Sequence, residues 1–272
     1  MNTLMLKSSL LGVLLLGAVA QARADAPTEA QAVLECMRGN VPRTLRIQDL
    51  ELSTVADADS KLRSMRARLY AQQEKTPHGD QLRAMLRVME PSTLAGAAYL
   101  VREAGSYAEE GLYVWLPSVR RVRRVSGEFA DGALLGTDFS YNDFKQLQGA
   151  FGGLAAAKQA LPETVDGRPV WLLAFKPEPG VKTTYSEVQS WIDQKTCVPL
   201  KMTYFSGGKL RKQLTVPTAA LKQTDKYWYP SLIEMRDLQV GSTSTLRVKG
   251  LLPDDKLASR YFNPKLFYMP GQ

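Results

Sequence analysis

Histidine is nearly absent from this 272-residue chain: His78, in the turn TPHGD, is the single one, and the only cysteines are Cys36 and Cys197. One histidine excludes a HExxH pair or a zinc site built on several imidazoles, and two cysteines exclude a four-thiolate cluster. Also missing are a G-x-S-x-G elbow, a phosphate-cradling glycine loop and an S-x-x-K with a coherent partner set. The adjacent acids Glu109 and Glu110, and Asp254 and Asp255, sit in turn-like contexts where solvation accounts for them. No enzyme, catalytic residue, metal or cofactor is therefore expected.

Acids are in the minority, 27 Asp and Glu against 35 Lys and Arg. Residues 1–24, MNTLMLKSSLLGVLLLGAVAQARA, place Lys7 before an apolar run from Leu10 to Ala20 and end in Ala22, Arg23 and Ala24. This is the pattern of a secretory signal peptide cleaved after Ala24, and the run is short for a membrane span. No cysteine near that site offers a lipid-anchor acceptor. Cleavage removes Lys7 and Arg23 but no acid, which leaves 33 Lys and Arg against 27 Asp and Glu, a net charge of +6. A modestly basic exported chain meets anionic headgroups, lipopolysaccharide or cell-wall polymers rather than DNA, so nucleic acid is not an expected partner. In an oxidising compartment the even cysteine count fits one Cys36–Cys197 bridge; the alternative is two buried free thiols.

What is abundant is the short β-like run. After one N-terminal helix in PTEAQAVLECMRGN, opened by a Thr28–Gln31 capping box and stopped at Gly39, strands are expected in LRIQDLELS, SKLRSMRARLYAQQ, DQLRAMLRVMEP, GAAYLVREA and EGLYVWLP. A second series follows in RPVWLLAFKPEP, YSEVQSWID, CVPLKMTYF, KLRKQLTV, YWYPSLIEMRDL and STSTLRVKGL, with tight turns at 194–196 and 206–208. The fold class is mainly β (α+β), an antiparallel meander of about eleven strands curled into a barrel or strongly bent sheet. No linker or repeat divides it. Between the two series, residues 132–161 are the least strand-like: Ser140 and Asp143 signal a helix start, Phe144, Leu147, Phe151 and Leu154 share a helical face, and Gly152 and Gly153 split the segment into two short helices. Such an insert is either a lid or plug, or a packed layer over the sheet.

Two runs are apolar on both strand faces, LYVWLP (Leu112, Val114 and Leu116 against Tyr113 and Trp115) and VWLLAF (Val170, Leu172 and Ala174 against Trp171, Leu173 and Phe175). Strands of that kind need cover on each side. The methionines Met65, Met85, Met89, Met202 and Met235 fall in expected strands, where they suit an adaptable cavity or an ordinary core. In PSVRRVRRVSG, Arg120, Arg121, Arg123 and Arg124 interleave with valines. As a strand the run carries charge on both faces and belongs at a rim or open edge, where the arginines either meet a headgroup or acidic partner or are simply solvated.

The segments LYVWLPSVRRVRRVSG and LLGTDFSYNDF, with MEPSTLAGAAYL, SWIDQKTCVPLKMTYF and RYFNPKLF, resemble the LolA-like outer-membrane lipoprotein-sorting family from about residue 43 to 267. The resemblance implies a single domain over 25–272: an incomplete antiparallel β-barrel with a concave apolar inside, partly closed by the N-terminal helix and the insert at about 132–161. Proteins of that fold carry or sense lipid. The chain is longer than the small lipoprotein carrier, with a denser arginine run and two cysteines. The expectation is a periplasmic carrier of lipid or lipoprotein acyl chains, with an inner-membrane transporter and an outer-membrane acceptor as possible partners. Its lipid cavity would be lined by Leu112, Val114, Leu116, Phe139, Phe144, Leu147, Val170 and Leu172, with the four arginines as headgroup or partner contacts. The alternative is a periplasmic sensor or adaptor working by protein contact beside a transporter or regulator.

Overall fold

The computed structural model describes residues 28–269 except Asp59, His78, Ser126 and Asp255. The signal-like stretch 1–24 and the lone histidine therefore lie outside the described residues. The described residues begin with β1 (Thr28–Glu29) and α1 (Ala30–Gly39), then run through β2 (Thr44–Ala56), β3 (Leu62–Thr76), β4 (Gly79–Glu90), β5 (Ala98–Arg102), β6 (Gly111–Leu116) and β7 (Arg121–Val125). After α2 (Tyr141–Gln146) come β8 (Leu154–Ala156), β9 (Gln159–Val165), β10 (Arg168–Pro177), β11 (Glu187–Asp193), β12 (Pro199–Ser206) and β13 (Lys209–Thr215). The last strands are β14 (Leu221–Thr224), β15 (Tyr227–Pro230), β16 (Leu232–Asp237), β17 (Ser242–Val248) and β18 (Leu251–Pro253).

All but β14 and β15 join one antiparallel sheet of 16 strands, in the order β1-β9-β10-β11-β12-β13-β16-β17-β2-β3-β4-β5-β6-β7, with β18 on β2 and β8 on β10. Both expected series are meanders of sequence neighbours. The halves are joined late in the chain, where β17 pairs with β2 from Ser242↔Ala56 to Val248↔Leu50. Among the described residues the two ends of the order, β1 and β7, do not pair with each other, so the sheet is not a closed barrel.

Turn chemistry explains several joints. Gly207 and Gly208, φ +54° and +76°, make the two-residue turn between β12 and β13, which needs left-handed backbone at both positions. At 194–196 the Asp193 carboxylate accepts hydrogen bonds from the Thr196 amide and hydroxyl, at 2.7 and 2.8 Å.

Four expectations are corrected. The helix α1 starts at a Glu29 cap with no side-chain bond, not at a Thr28–Gln31 box, because Thr28 is in β1 and the Ala30 amide is satisfied by the Lys158 carbonyl. The insert holds one helix, not two: Leu154–Ala156 pairs with the edge of β10, where backbone groups need partners. The run YWYPSLIEMRDL is two strands, since Pro230 has no N–H for a ladder and the Ser231 amide turns to the Ala220 carbonyl. The sheet also exceeds eleven strands, the additions being short pieces such as β1, β8 and β18.

The core lies on one face of the sheet, with Leu52, Leu86, Val170, Met202, Met235 and Leu246 among its buried residues. The opposite face of β3–β7 is covered by residues 257–269, the second cover that LYVWLP demanded. Tyr261 stacks on Tyr70 and Tyr268 on Trp115, with centroids 4.3 and 4.0 Å apart. Arg87 Nη2 anchors this tail by donating to the carbonyls of Phe267 (3.1 Å) and Met269 (2.5 Å). Cys36 and Cys197 are bridged, with Cα atoms 5.7 Å apart, which ties α1 to the turn before β12.

Candidate functional site

The helix α2 is short, so its place is set by its ends and its polar side rather than by helix propensity. Ser140 and Asp143 form the expected capping box: the Asp143 carboxylate accepts from the Ser140 amide at 2.7 Å, and Ser140 Oγ accepts from the Asp143 amide at 3.1 Å. Lys145, on this helix, is paired with Glu110, and both are buried. Glu110 is thus no solvated turn acid, unlike exposed Glu109 beside it. Lys212 donates to the Asp138 carbonyl at 2.7 Å and stands 3.8 Å from the Asp143 carboxylate. Asn142 Nδ2 donates to Asp131 at 2.8 Å, and Asp131 also accepts from the Thr184 amide at 2.8 Å. Burial pushes the Glu110 carboxyl above the usual carboxylate range against the pull of Lys145, and pushes Asp143 the same way against Lys212. At the end of the segment Gly149, at φ +76°, lets the chain turn tightly against α1; a Cβ there would stand 3.1 Å from that of Met37. Arg38 Nε donates to the Gly149 carbonyl at 3.2 Å.

With its polar groups fixed, α2 presents Phe144 and Leu147 to two cavities. The larger, about 110 Å³, is walled by Met37 of α1 and Val41 just after it, by β2 (Leu45, Ile47, Leu50), by α2, and by the β14–β15 hairpin through Trp228 and Tyr229. The smaller, about 40 Å³, lies between α2 and the inner face of β3–β5, bordered by Ala84, Leu86, Tyr99 and Tyr141. Leu69, Phe144 and Gln148 border both and form the partition between them. Burial pushes the Tyr141 phenol up to about 12 and that of Tyr99 up as well, so both hydroxyls stay protonated. A cavity of about 150 Å³ holds one benzene ring, so the larger space as it stands has room for no more than a small apolar group. A full acyl chain requires α2 or the hairpin to move.

Of the residues singled out in the sequence, Phe144 and Leu147 reach the larger cavity. Phe139 is fully buried behind Phe144, ring centroids 5.3 Å apart. Leu112, Val114 and Leu116 lie on β6, Leu112 buried and the other two half-buried, and they border neither cavity. Val170 and Leu172, on β10, pack into the core. The methionines Met65, Met85, Met202 and Met235 are core residues, and Met89 is exposed. The walls that the sequence did not single out, Met37, Ile47 and Trp228, come from three distant segments. The one local signal among them was TDKYWYP, a turn, three aromatics and a proline beside an expected strand.

The arginine run is a strand, and it is an edge: β7 pairs with β6 alone. Arg121 and Arg123 stand opposite Leu116 and Val114, so they share the inner, core-side face of the sheet. Arg120, at φ +51°, is in the turn. Arg124 is on the outer face, where it donates to the Glu110 carbonyl at 2.8 Å and the Glu109 carbonyl at 3.3 Å. Among the described residues Arg120, Arg121 and Arg123 have no carboxylate within ion-pair distance.

Solved structures share this architecture. The chain is similar to an outer membrane lipoprotein-sorting protein domain, so assigned, from Vibrio parahaemolyticus (TM-score 0.74, 22% identity, 88% of this chain and 100% of that one). It is also similar to a DUF1329 family protein from Desulfovibrio piger (TM-score 0.73, 20% identity, 86% and 97%). A LolA superfamily protein from Nitrosomonas europaea gives a TM-score of 0.66 at 21% identity over 87% and 98%. No curated protein matches the chain. A family model described as "-like: Uncharacterized protein" matches residues 80–267, from β4 to the tail that covers the outer face. The chain belongs to the family of that model, and its fold is that of the LolA superfamily.

Proposed function

We infer that this protein is a non-enzymatic periplasmic carrier of lipid or lipoprotein acyl chains, serving outer-membrane lipoprotein sorting or lipid transport. The observation that carries this reading is the pair of apolar cavities held between α2 and the inner sheet face, with Arg121 and Arg123 on that same face at its edge. An acyl chain enters as α2 or the β14–β15 hairpin swings away, each buried methylene contributing about 0.8 kcal/mol against the cost of opening. The edge arginines then receive a headgroup phosphate or an acidic partner. Periplasmic residence is supported by the signal-like N-terminus and by the Cys36–Cys197 bridge. A half-barrel shape, and partnership with a membrane transporter and an outer-membrane acceptor, are part of the same reading by analogy of fold.

A sensor or adaptor acting through protein contacts is the second reading, favoured by the small present volume and by the buried pairs Lys145–Glu110 and Lys212–Asp143 that hold α2 in place. Native mass spectrometry and organic extraction of protein purified without detergent separate the two. Stoichiometric lipid or lipopeptide is the expected result; an empty protein that also refuses fluorescent acyl probes, yet holds a protein partner, establishes the second reading instead. For the carrier, Arg121→Ala with Arg123→Ala weakens binding to anionic vesicles in a salt-dependent way.

A further inference from the structure

On the outer face of the sheet, Tyr70, Met85 and Leu100 form one cross-strand row of β3, β4 and β5, and the tail 257–269 packs over it. The next row on that face, two residues along each strand, is Gln72, Arg83 and Arg102. It lies at the edge of the tail and forms with it an open cleft of about 480 Å³, whose other wall includes Phe262, Pro264 and Lys265. Two arginines directly opposite each other on one face repel, and here only one is balanced. Arg83 Nε donates to the Glu74 carboxylate at 2.8 Å, and its other nitrogens donate to Gln81 and to the Glu103 carbonyl. Among the described residues Arg102 and Lys265 have no carboxylate within ion-pair distance, and Arg102 Nε is sealed from water without a partner. Three cations, Arg83, Arg102 and Lys265, thus face one acid, Glu74, across the cleft, an excess of two positive charges. A partly desolvated guanidinium with no counter-charge destabilises the chain, and a bound anion removes that cost.

We propose that this outer-face cleft is a binding site for a phosphate monoester, held by the Arg102 guanidinium and by Lys265. A phosphate monoester carries close to two negative charges at neutral pH and matches the excess in the cleft, whereas a single carboxylate leaves one cation unmet. The planar fork of Arg102 suits two phosphate oxygens at once, and Lys265 adds a point charge from the tail. Phe262 and Pro264 give an apolar wall to the body that bears the phosphate. The site lies on the opposite side of the sheet from α2 and its cavities, so it stands independently of the carrier reading.

The test is calorimetric titration of the purified protein with inorganic phosphate, the ionic strength held constant with chloride. One saturable site is expected. Arg102→Gln should weaken it by about tenfold or more. The same variant in phosphate-free buffer should keep or raise the thermal midpoint, because the substitution relieves the repulsion from Arg83. Arg102→Lys, which keeps the charge and loses the fork, should fall between the two. Lys265→Gln, at an exposed position where folding is not at stake, should weaken phosphate as well. Glucose 6-phosphate and dihexanoyl phosphatidate, titrated in turn, separate a free sugar phosphate from a lipid headgroup as the source, the tighter of the two identifying it. Absence of a saturable phosphate site in the unaltered protein, or equal affinity in the parent and in both Arg102→Gln and Lys265→Gln, overturns the proposal and leaves the carrier reading untouched.

Discussion

Lys145 and Glu110 show how much one side chain can decide. With both charges buried and paired, removing the cation alone strands a carboxylate in the interior, a change that costs about 3–5 kcal/mol. Lys145→Met should therefore lower unfolding free energy by about that amount at neutral pH, and Lys145→Met with Glu110→Gln should recover much of it; urea titrations measure both. The pH dependence has a definite sign. A carboxyl raised in the folded state favours the folded protein below its unfolded range, and that contribution is lost as pH rises through the folded value. The single variant should accordingly approach the parent near pH 4 and diverge from it above. Sequence pattern named Phe144 and Leu147 for the cavity because helical spacing puts them on one face. It did not find Glu110 as an interior group, since an acid next to a glycine in EEG looks like any solvated turn until Lys145 is folded against it.

Among elements, those with a strict local pattern were legible. The alternation in β3, the glycine pair before β13 and the capping box of α2 each follow from chemistry within a few residues. The second helix of the insert was not, because its apolar spacing is equally satisfied by Leu154–Ala156 as a short strand, and the vacant edge of β10 selects the strand. The β14–β15 hairpin escaped for a similar reason: Pro230 alone marks where one apparent strand divides. The element most open to test is the joint between α1 and the β11–β12 turn. The bridge spans 161 residues of chain, so reduction, or Cys36→Ser with Cys197→Ser, should lower unfolding free energy by about 2–5 kcal/mol. Urea midpoints with and without reductant measure it, and a double-serine variant insensitive to reductant assigns the effect to this bridge.

At the scale of the molecule, the double-sided apolar strands announced that the sheet has two covered faces, but not what covers the second. RYFNPKLFYM is too short and too irregular to register as an element, yet its Tyr261, Phe262, Phe267 and Tyr268 close the outer face over Tyr70, Met85, Leu100 and Trp115. Removing residues 257–272 should leave that face bare; increased binding of a hydrophobic dye and a lower thermal midpoint are the expected outcome. An unchanged dye response would mean that the tail contributes little to the outer face.

The union of β17 with β2 also governs the order in which the molecule is built. Every strand pairing from β2 to β7 can form once the first half of the chain is available, but the free edge of β2 waits for residues near the C-terminus. Until then it is a long unsatisfied ladder, a template for any strand that meets it first. Pairing across so great a sequence separation is slow because the intervening loop must be closed before contacts reward it. For a chain delivered in the N-to-C direction, the hazardous interval is thus the time between the appearance of β2 and the arrival of β17, and whatever shields that edge in the meantime decides how much protein reaches its folded form.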